Sequence, residues 1–417
     1  MTAKAARASA RGWRRALTIA IAAAGLLAVL AASDARAADK PDGLEVSGQF
    51  AGASVPDAAG RRAAGFWTPE RIARAKPLDG DGEVELGADR PSPLAAPSPA
   101  PLKSVQVNPI GYPNRVHGKI FFQLPSGIYS CSGTIVTSAS GSLVSTAGHC
   151  AYDHATNAVA ANMIFIPGFS AYGGPYSIWP VTNIILSKRW VKKRNAYDDD
   201  FAMVRVQPIY GTIQNLGSRG IGFNQPRRQH YQSYGYPAEG RPSYDGNLLI
   251  RCDSGYRREL RGYGGPRGIG MKCDSQAGAS GGGWVSQRSF IVSNTSHGYP
   301  SYSDNLLFGP YFGSKVKQMY KANNAFWPSI GPIRCGGEVA SIIGSGAKDK
   351  IRGTNGRDVI ATVGGRDKIN GRGGRDVICG GPGNDKIKGG GGKDKIEGGD
   401  GRDKCGRKRG DKHHGCE

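Results

Sequence analysis

No Cys-x-x-Cys spacing occurs among the eight cysteines, which argues against a structural zinc site. The one long apolar run, Ala16 to Ala32, is about 17 residues, nearly half of them alanine, too weak for a good membrane span. Acidic residues are scarce, with 33 Asp and Glu against 55 Lys and Arg and a net charge of +22. That balance suits an anionic partner such as a cell-surface polymer, or simply a basic exported protein. No specific nucleic-acid partner is expected. Helix signals are few as well: past residue 105 only Lys315 to Ala325 reads clearly as a helix.

Lys4, Arg7, Arg11, Arg14 and Arg15 precede the apolar run, and Ala35-Arg36-Ala37 follows it. This is the pattern of a secretory signal peptide over residues 1–37, removed after Ala37, which leaves no membrane span. The expected location is secreted and extracellular. Cysteines in an exported chain read as disulfides. Cys131, Cys150, Cys252 and Cys273 lie in the middle third, and Cys335, Cys379, Cys405 and Cys416 in the last fifth. Each part should be stapled on its own.

Residues 38–104 lack a sustained strand pattern and end in a Pro/Ala/Ser run from Pro91 to Leu102. Such a run is extended and open to proteolysis. The segment reads as a pro-region or a linker. Thr68-Pro69-Glu70 offers an N-cap, an N1 proline and an early carboxylate. It predicts a short helix to about Lys76, with Phe66 and Trp67 available for docking.

Residues 105–334 read as all-β. Short apolar runs such as Lys119–Leu124, Gly133–Thr137, Ser142–Thr146, Met163–Ile166, Phe201–Val206, Trp284–Ser286 and Phe290–Ser293 alternate with turn residues. Many short strands with turn signals imply a sandwich or barrel. From Gly344 the chain repeats every nine residues. Position six is Asp in seven successive units: Asp349, Asp358, Asp367, Asp376, Asp385, Asp394 and Asp403. Position eight is apolar, from Ile351 to Cys405. This pattern matches the calcium-binding nonapeptide repeat of parallel β-rolls, with a turn over the first six residues and a strand over the last three. Asp carboxylates and turn carbonyls supply the hard oxygens that suit Ca²⁺. Lys and Arg beside the Asp weaken that affinity, so a metal-free, disulfide-stapled solenoid is the competing expectation. The β-roll region is 335–417.

Three contexts carry chemistry. Ser145-Thr-Ala-Gly-His149-Cys150 ends an apolar strand, and Cys150 is placed to pair with Cys131 and pin His149. Asp198-Asp-Asp200-Phe-Ala leads into a hydrophobic strand. Asp200 is nearest that strand and best placed for burial, while Asp198 and Asp199 are expected in solvent. Gly278-Ala-Ser280-Gly-Gly lets the backbone turn sharply, so that the Gly278 and Ser280 amides form an oxyanion hole. A serine nucleophile, a histidine base and a buried orienting carboxylate are what acyl transfer from a peptide requires. An α/β-hydrolase esterase is disfavoured by the missing helix alternation.

In His…Asp…Ser order, these motifs resemble the chymotrypsin-like serine peptidases, and most of all their bacterial glutamyl endopeptidase branch. Cys131-Ser-Gly-Thr-Ile-Val136 and Phe66-Trp-Thr-Pro-Glu-Arg71 are similar to that branch too. The resemblance covers about residues 60–330. It implies a double six-stranded antiparallel β-barrel with the site between barrels, acting on protein or peptide substrates without a catalytic cofactor. Residue 279 is Ala where animal trypsins carry Asp, so activation through a new N-terminal ammonium is not expected and a steric pro-region is. The implied substrate pocket contains Asp274, Ser275, Ser296, His297 and Gly298. His297 favours a Glu or Asp substrate, and Asp274 argues for Arg or Lys. Cys252 and Cys273 flank the approach to Ser280 and are expected to pair with each other or with tail cysteines. A catalytically silent, calcium-dependent surface-binding protein is the alternative reading.

Overall fold

A computed structural model describes residues 45–47, 49–55, 57–78, 104–170, 174–207, 211–239, 244–258, 268–275, 277–298, 305–325, 333–345, 347–362, 364–406 and 408–417. The expected signal peptide and the Pro91–Leu102 run lie outside them. Among the described residues no helix is long and apolar enough to cross a membrane.

Six antiparallel strands close into a barrel. Around it run Trp179–Ser187, Ala161–Pro167, His117–Leu124, Gly127–Val136, Leu143–Thr146 and Ala202–Val206, and the last pairs back to the first. Alternate residues point inward, so Ile120, Phe122, Ile135, Val144, Phe165, Ile184 and Val204 fill the interior. A second sheet joins His230–Gly235, Ile250–Arg258, Ile269–Lys272, Gly283–Ser286, Phe290–Asn294 and Leu306–Gly309 around Tyr231, Met271, Trp284, Val292 and Leu307. Strands with clean apolar runs were readable in the sequence. Ile250–Arg258 and His230–Gly235 were not, because Arg, Asp, Gly and His interrupt their apolar pattern.

The segment before residue 79 differs from its expectation. Phe50–Ser54 forms a strand on Trp179–Ser187, and Glu45–Ser47 pairs with it. The small residues of Phe-Ala-Gly-Ala-Ser show no strand preference, and the strand exists because Asn183–Ser187 extends past its own strand's pairing with Ala161–Pro167. The helix Pro69–Arg74 forms with Thr68 as its N-cap, ending slightly short of the expected Lys76. Trp67 is buried against Phe121 and donates its indole N–H to Asn162 O at 2.6 Å. Lys76–Pro77 then runs parallel to Tyr129–Ser130.

The tail is a parallel solenoid whose strands alternate between two sheets. Ile342–Ile343, Val359–Ala361, Val377–Cys379, Lys395–Glu397 and Lys412–His414 form one. Lys350–Arg352, Lys368–Asn370, Lys386–Lys388 and Lys404–Gly406 form the other. Position-eight isoleucines stack inside in register. Ile342–Ile343 also pairs with Gly220–Gly222, so the second peptidase sheet runs on into the solenoid. One apolar stripe passes from Phe290 and Trp284 through Ile342, Ile351, Ile360 and on to Ile396. Four disulfides form: Cys131–Cys150, Cys252–Cys273, Cys335–Cys379 and Cys405–Cys416. No tail cysteine therefore reaches Cys252 or Cys273.

Candidate active site

His149 follows the strand Leu143–Thr146, and Asp200 immediately precedes Ala202–Val206. These strands are neighbours, with Ala202 opposite Thr146, so pairing brings the two side chains together. The backbone N–H of His149 donates to Asp200 Oδ1 at 2.8 Å, and ring Nδ1 donates to Oδ2 at 2.8 Å. Ser296 Oγ donates to the same Oδ2 at 2.6 Å. Asp200 is 0% exposed. Burial disfavours its charge, but the His149 ring and the hydrogen bonds from His149 and Ser296 outweigh that and hold the carboxyl below its usual range. Gly148 is needed here, since a Cβ would lie 3.0 Å from Asp200 Oδ1 and 2.9 Å from Trp190.

Asp198 and Asp199 are not solvated, contrary to the sequence expectation. Asp199 is buried, Asp198 is half-buried, and both are paired: Arg189 reaches Asp198 at 2.6 Å, and Lys315 reaches Asp199 at 2.6 Å. Lys315 comes from a helix over 100 residues later, a contact no local pattern reveals.

Ser280 sits on the turn entering Gly283–Ser286 and is 2% exposed. Its carbonyl accepts from Ser132 N at 2.7 Å. Ser132 adjoins Cys131, whose disulfide partner Cys150 adjoins His149. The serine turn and the histidine turn are thus tied to the same strand. Gly281 has φ +83°, and a Cβ there would meet Thr146 Oγ1 at 2.2 Å, so only glycine lets the turn approach this closely.

The two amides expected to form an oxyanion hole are held by fixing the far side of their peptides. Ala277 O accepts from Ala238 N at 2.8 Å, and Ala279 O accepts from Gly282 N at 3.0 Å. In each peptide the N–H points opposite to that carbonyl. The Gly278 N–H donates to Leu78 O at 3.3 Å, and Leu78 N donates to Ser130 O at 2.9 Å. The segment around Leu78 therefore touches an amide of the proposed oxyanion hole.

The expected pocket residues divide. Ser296 is turned to Asp200, so its hydroxyl serves the carboxylate. The His297 ring packs against Tyr197 at 4.3 Å and Phe308 at 5.6 Å, with Nδ1 3.0 Å from Ser296 Oγ. Asp274 is buried and accepts from Ser104 Oγ at 3.1 Å and Tyr244 OH at 3.2 Å. Ser275 is buried beside it, and Gly298 pairs with Leu307. The sequence reading missed Ser132, Asn294 and Leu78. Asn294 Nδ2 donates to Asp200 O at 3.3 Å, and nothing in its short apolar context signals that.

In the tail all seven expected Asp residues are buried on the inside of the turns. Gly at position one of the last four units leaves room for the carboxylate, because a Cβ on Gly371, Gly380, Gly389 or Gly398 would lie 2.3–2.7 Å from an Asp oxygen; the third unit carries Thr362 there. Asp367, Asp376, Asp385, Asp394 and Asp403, each 1–2% exposed, keep Oδ2 buried without a hydrogen-bond partner. A buried carboxylate oxygen without a donor is costly unless a cation meets it, so the residues fit Ca²⁺. Burial raises several of these carboxyls, Asp367 and Asp376 to about 7.

The RTX calcium-binding nonapeptide repeat family matches residues 343–378, 352–386 and 373–405. No curated protein matches the chain. Among solved structures, the thermostable serine protease AL20 from an extremophilic microorganism is 32% identical. The match covers 51% of this chain and 97% of that one, with a TM-score of 0.46. Protease Anisep from Arthrobacter nicotinovorans is 31% identical over 53% and 99%, with a TM-score of 0.47. A Glu endopeptidase is 19% identical over 53% and 96%, with a TM-score of 0.43. With above 30% identity over nearly the whole of two serine proteases, and with repeats of the calcium-binding kind behind them, the chain belongs to the chymotrypsin-like serine proteases and carries an RTX calcium-binding tail.

Proposed function

We propose that this chain is an exported serine endopeptidase. Ser280 Oγ attacks the substrate carbonyl carbon and its proton passes to His149 Nε2. His149 Nδ1–H stays on Asp200, which fixes the tautomer and stabilises the imidazolium. The Gly278 and Ser280 amides receive the developing oxyanion. His149 then protonates the leaving amine, and water hydrolyses the acyl-enzyme by the same relay. The observation that supports this most is the buried Asp200 carboxylate, bonded to both the backbone and the ring of His149. Hydrolysis of a protein substrate by the processed chain, lost in His149→Ala, is the expected result. Unchanged hydrolysis in that variant contradicts it.

Selectivity for Glu or Asp before the scissile bond is proposed for the pocket of Asp274, Ser275, Ser296, His297 and Gly298. Asp274 already receives two hydroxyl donors, which lessens its pull on a basic substrate side chain. A peptide panel varied only at that position should favour Glu or Asp, and an Arg or Lys preference overturns the assignment.

The proposed organisation is a signal peptide over 1–37, a pro-region over 38–104, a peptidase over 105–334 and the repeat tail over 335–417. In this reading the pro-region inhibits sterically, with Leu78 O held on the Gly278 amide that the substrate oxyanion needs. The form trimmed beyond residue 104 should turn over peptide substrates at least tenfold faster than the intact form. Equal rates in the two forms remove the pro-region from this account.

A further inference from the structure

The repeats are not equivalent toward a cation. In the first unit Asp349 Oδ2 accepts from Ser345 N at 2.7 Å and from Ser345 Oγ at 3.1 Å. In the second, Asp358 Oδ2 accepts from Thr354 N at 2.6 Å and Thr354 Oγ1 at 3.0 Å. Both oxygens are thereby answered from within their own turns. A hydroxyl at position two is peculiar to these two units: the later ones carry Val363, Arg372, Gly381, Gly390 and Gly399 there.

From the third unit on, the arrangement changes. Oδ1 of Asp367, Asp376, Asp385, Asp394 and Asp403 accepts the backbone N–H of the Asp two repeats earlier at 2.7–3.0 Å. The same five residues hold Oδ2 buried and without a donor. Thr362, beside Asp367, directs its hydroxyl to Gly380 O. The ladder also continues past the recognisable repeats. Asp411, eight residues after Asp403, accepts from Asp394 N at 3.0 Å through Oδ1 and leaves Oδ2 buried without a donor.

The first two turns have other support. Ile342–Ile343 pairs with Gly220–Gly222 of the peptidase sheet. Lys350 N donates to Ser289 Oγ at 3.4 Å, and Arg352 N donates to Gln287 Oε1 at 2.6 Å. Tyr112 OH lies 3.3 Å from Ser345 Oγ. Protein donors do in these turns what a cation would do further along.

We propose that the tail is divided: the turns of Asp349 and Asp358 form a metal-free platform on the peptidase, and Ca²⁺ binds only from Asp367 onward, with Asp411 as a further ligand outside the nine-residue spacing. The family match alone treats residues 343–405 as one array. This inference rests on the repeat match and on hydrogen bonding within the turns, so it stands or falls independently of catalysis.

The test uses the full chain with Ser280→Ala, stripped with EGTA and titrated calorimetrically with calcium chloride. Asp376→Asn with Asp385→Asn should lower the number of calcium ions bound, and Asp411→Asn should lower it as well. Asp349→Asn with Asp358→Asn should leave that number unchanged. Since this last variant can fail to fold, Ser345→Gly with Thr354→Gly supplies the opposite direction. It removes the hydroxyl donor from each Oδ2, leaves only the backbone N–H there, and should raise the number of ions bound. Hydrogen exchange of the unmodified tail should lose protection on stripping beyond residue 364 and keep it over residues 342–361. Loss of bound calcium in the Asp349/Asp358 variant equal to that in the Asp376/Asp385 variant overturns the division. So does uniform loss of protection across the tail, or no gain in Ser345→Gly/Thr354→Gly.

Discussion

Two parts of this molecule bury aspartates, and they do so for opposite ends. Asp200 is completely enclosed, yet three donors from His149 and Ser296 surround its two oxygens, and its carboxyl sits below the usual range. Asp367 and Asp376 are almost as enclosed but receive a donor on one oxygen only, and burial raises them to about 7. Solvent exposure is nearly the same, so it does not separate them. The facing His149 ring and the donors on both oxygens do. A carboxylate fully met by protein donors is a fixed charge that orients a neighbour, and one left half-met is a place for a cation.

The sharpest way to break the comparison is Asp200→Asn. It replaces an acceptor oxygen with an amide that cannot hold the Nδ1–H tautomer of His149. The expected loss in kcat is about 10⁴-fold, read from peptide hydrolysis by the processed enzyme. A milder change moves Asp200 toward the condition of the repeat aspartates. Ser296→Ala removes the third donor and leaves the two from His149. A hydrogen bond to a charged group contributes about 1.5–3 kcal/mol, so kcat/KM should fall by roughly 10- to 150-fold. Activity unchanged in that variant would mean that the donor count around Asp200 does not matter.

The smallest effect is on stability, and its sign follows from the raised carboxyls. Asp367 and Asp376 bind protons more tightly in the folded, metal-free tail than in the unfolded chain. Their protonation therefore favours the fold fully below the unfolded value near 4, and that contribution is lost as pH rises through about 7. In EGTA the Tm of the tail should fall by several degrees between pH 4 and pH 8. Saturating calcium, which prefers the ionised form, should flatten or reverse that slope. A calcium-free tail whose Tm rises over this window would contradict the half-met description.

Much of this was legible in the chain itself. The nine-residue period announced the solenoid because each turn repeats the same physical problem, a glycine for the bend and an apolar residue for the interior. His149, Asp200 and Ser280 stood out because each ends or begins an apolar strand in a distinctive setting. What could not be read depended on distant partners. Asp199 looked solvated until Lys315 was folded against it. Ser296, proposed for the substrate pocket, also gives its hydroxyl to Asp200, a partner far away in the sequence. Phe50–Ser54 has no strand preference of its own and is ordered by the end of Trp179–Ser187 that extends past its pairing with Ala161–Pro167. The divided tail was written in Ser345 and Thr354, but their meaning required seeing which carboxylate oxygen each hydroxyl reaches.

The central claim is that Ser280 is a nucleophile activated by His149 on the carboxylate of Asp200. The processed protein should be treated with a fluorophosphonate probe and analysed by intact and peptide mass spectrometry. One adduct is expected, on Ser280, absent in Ser280→Ala and strongly reduced in Asp200→Asn. A processed, folded protein that takes up no probe, or takes it up on another residue, would contradict it.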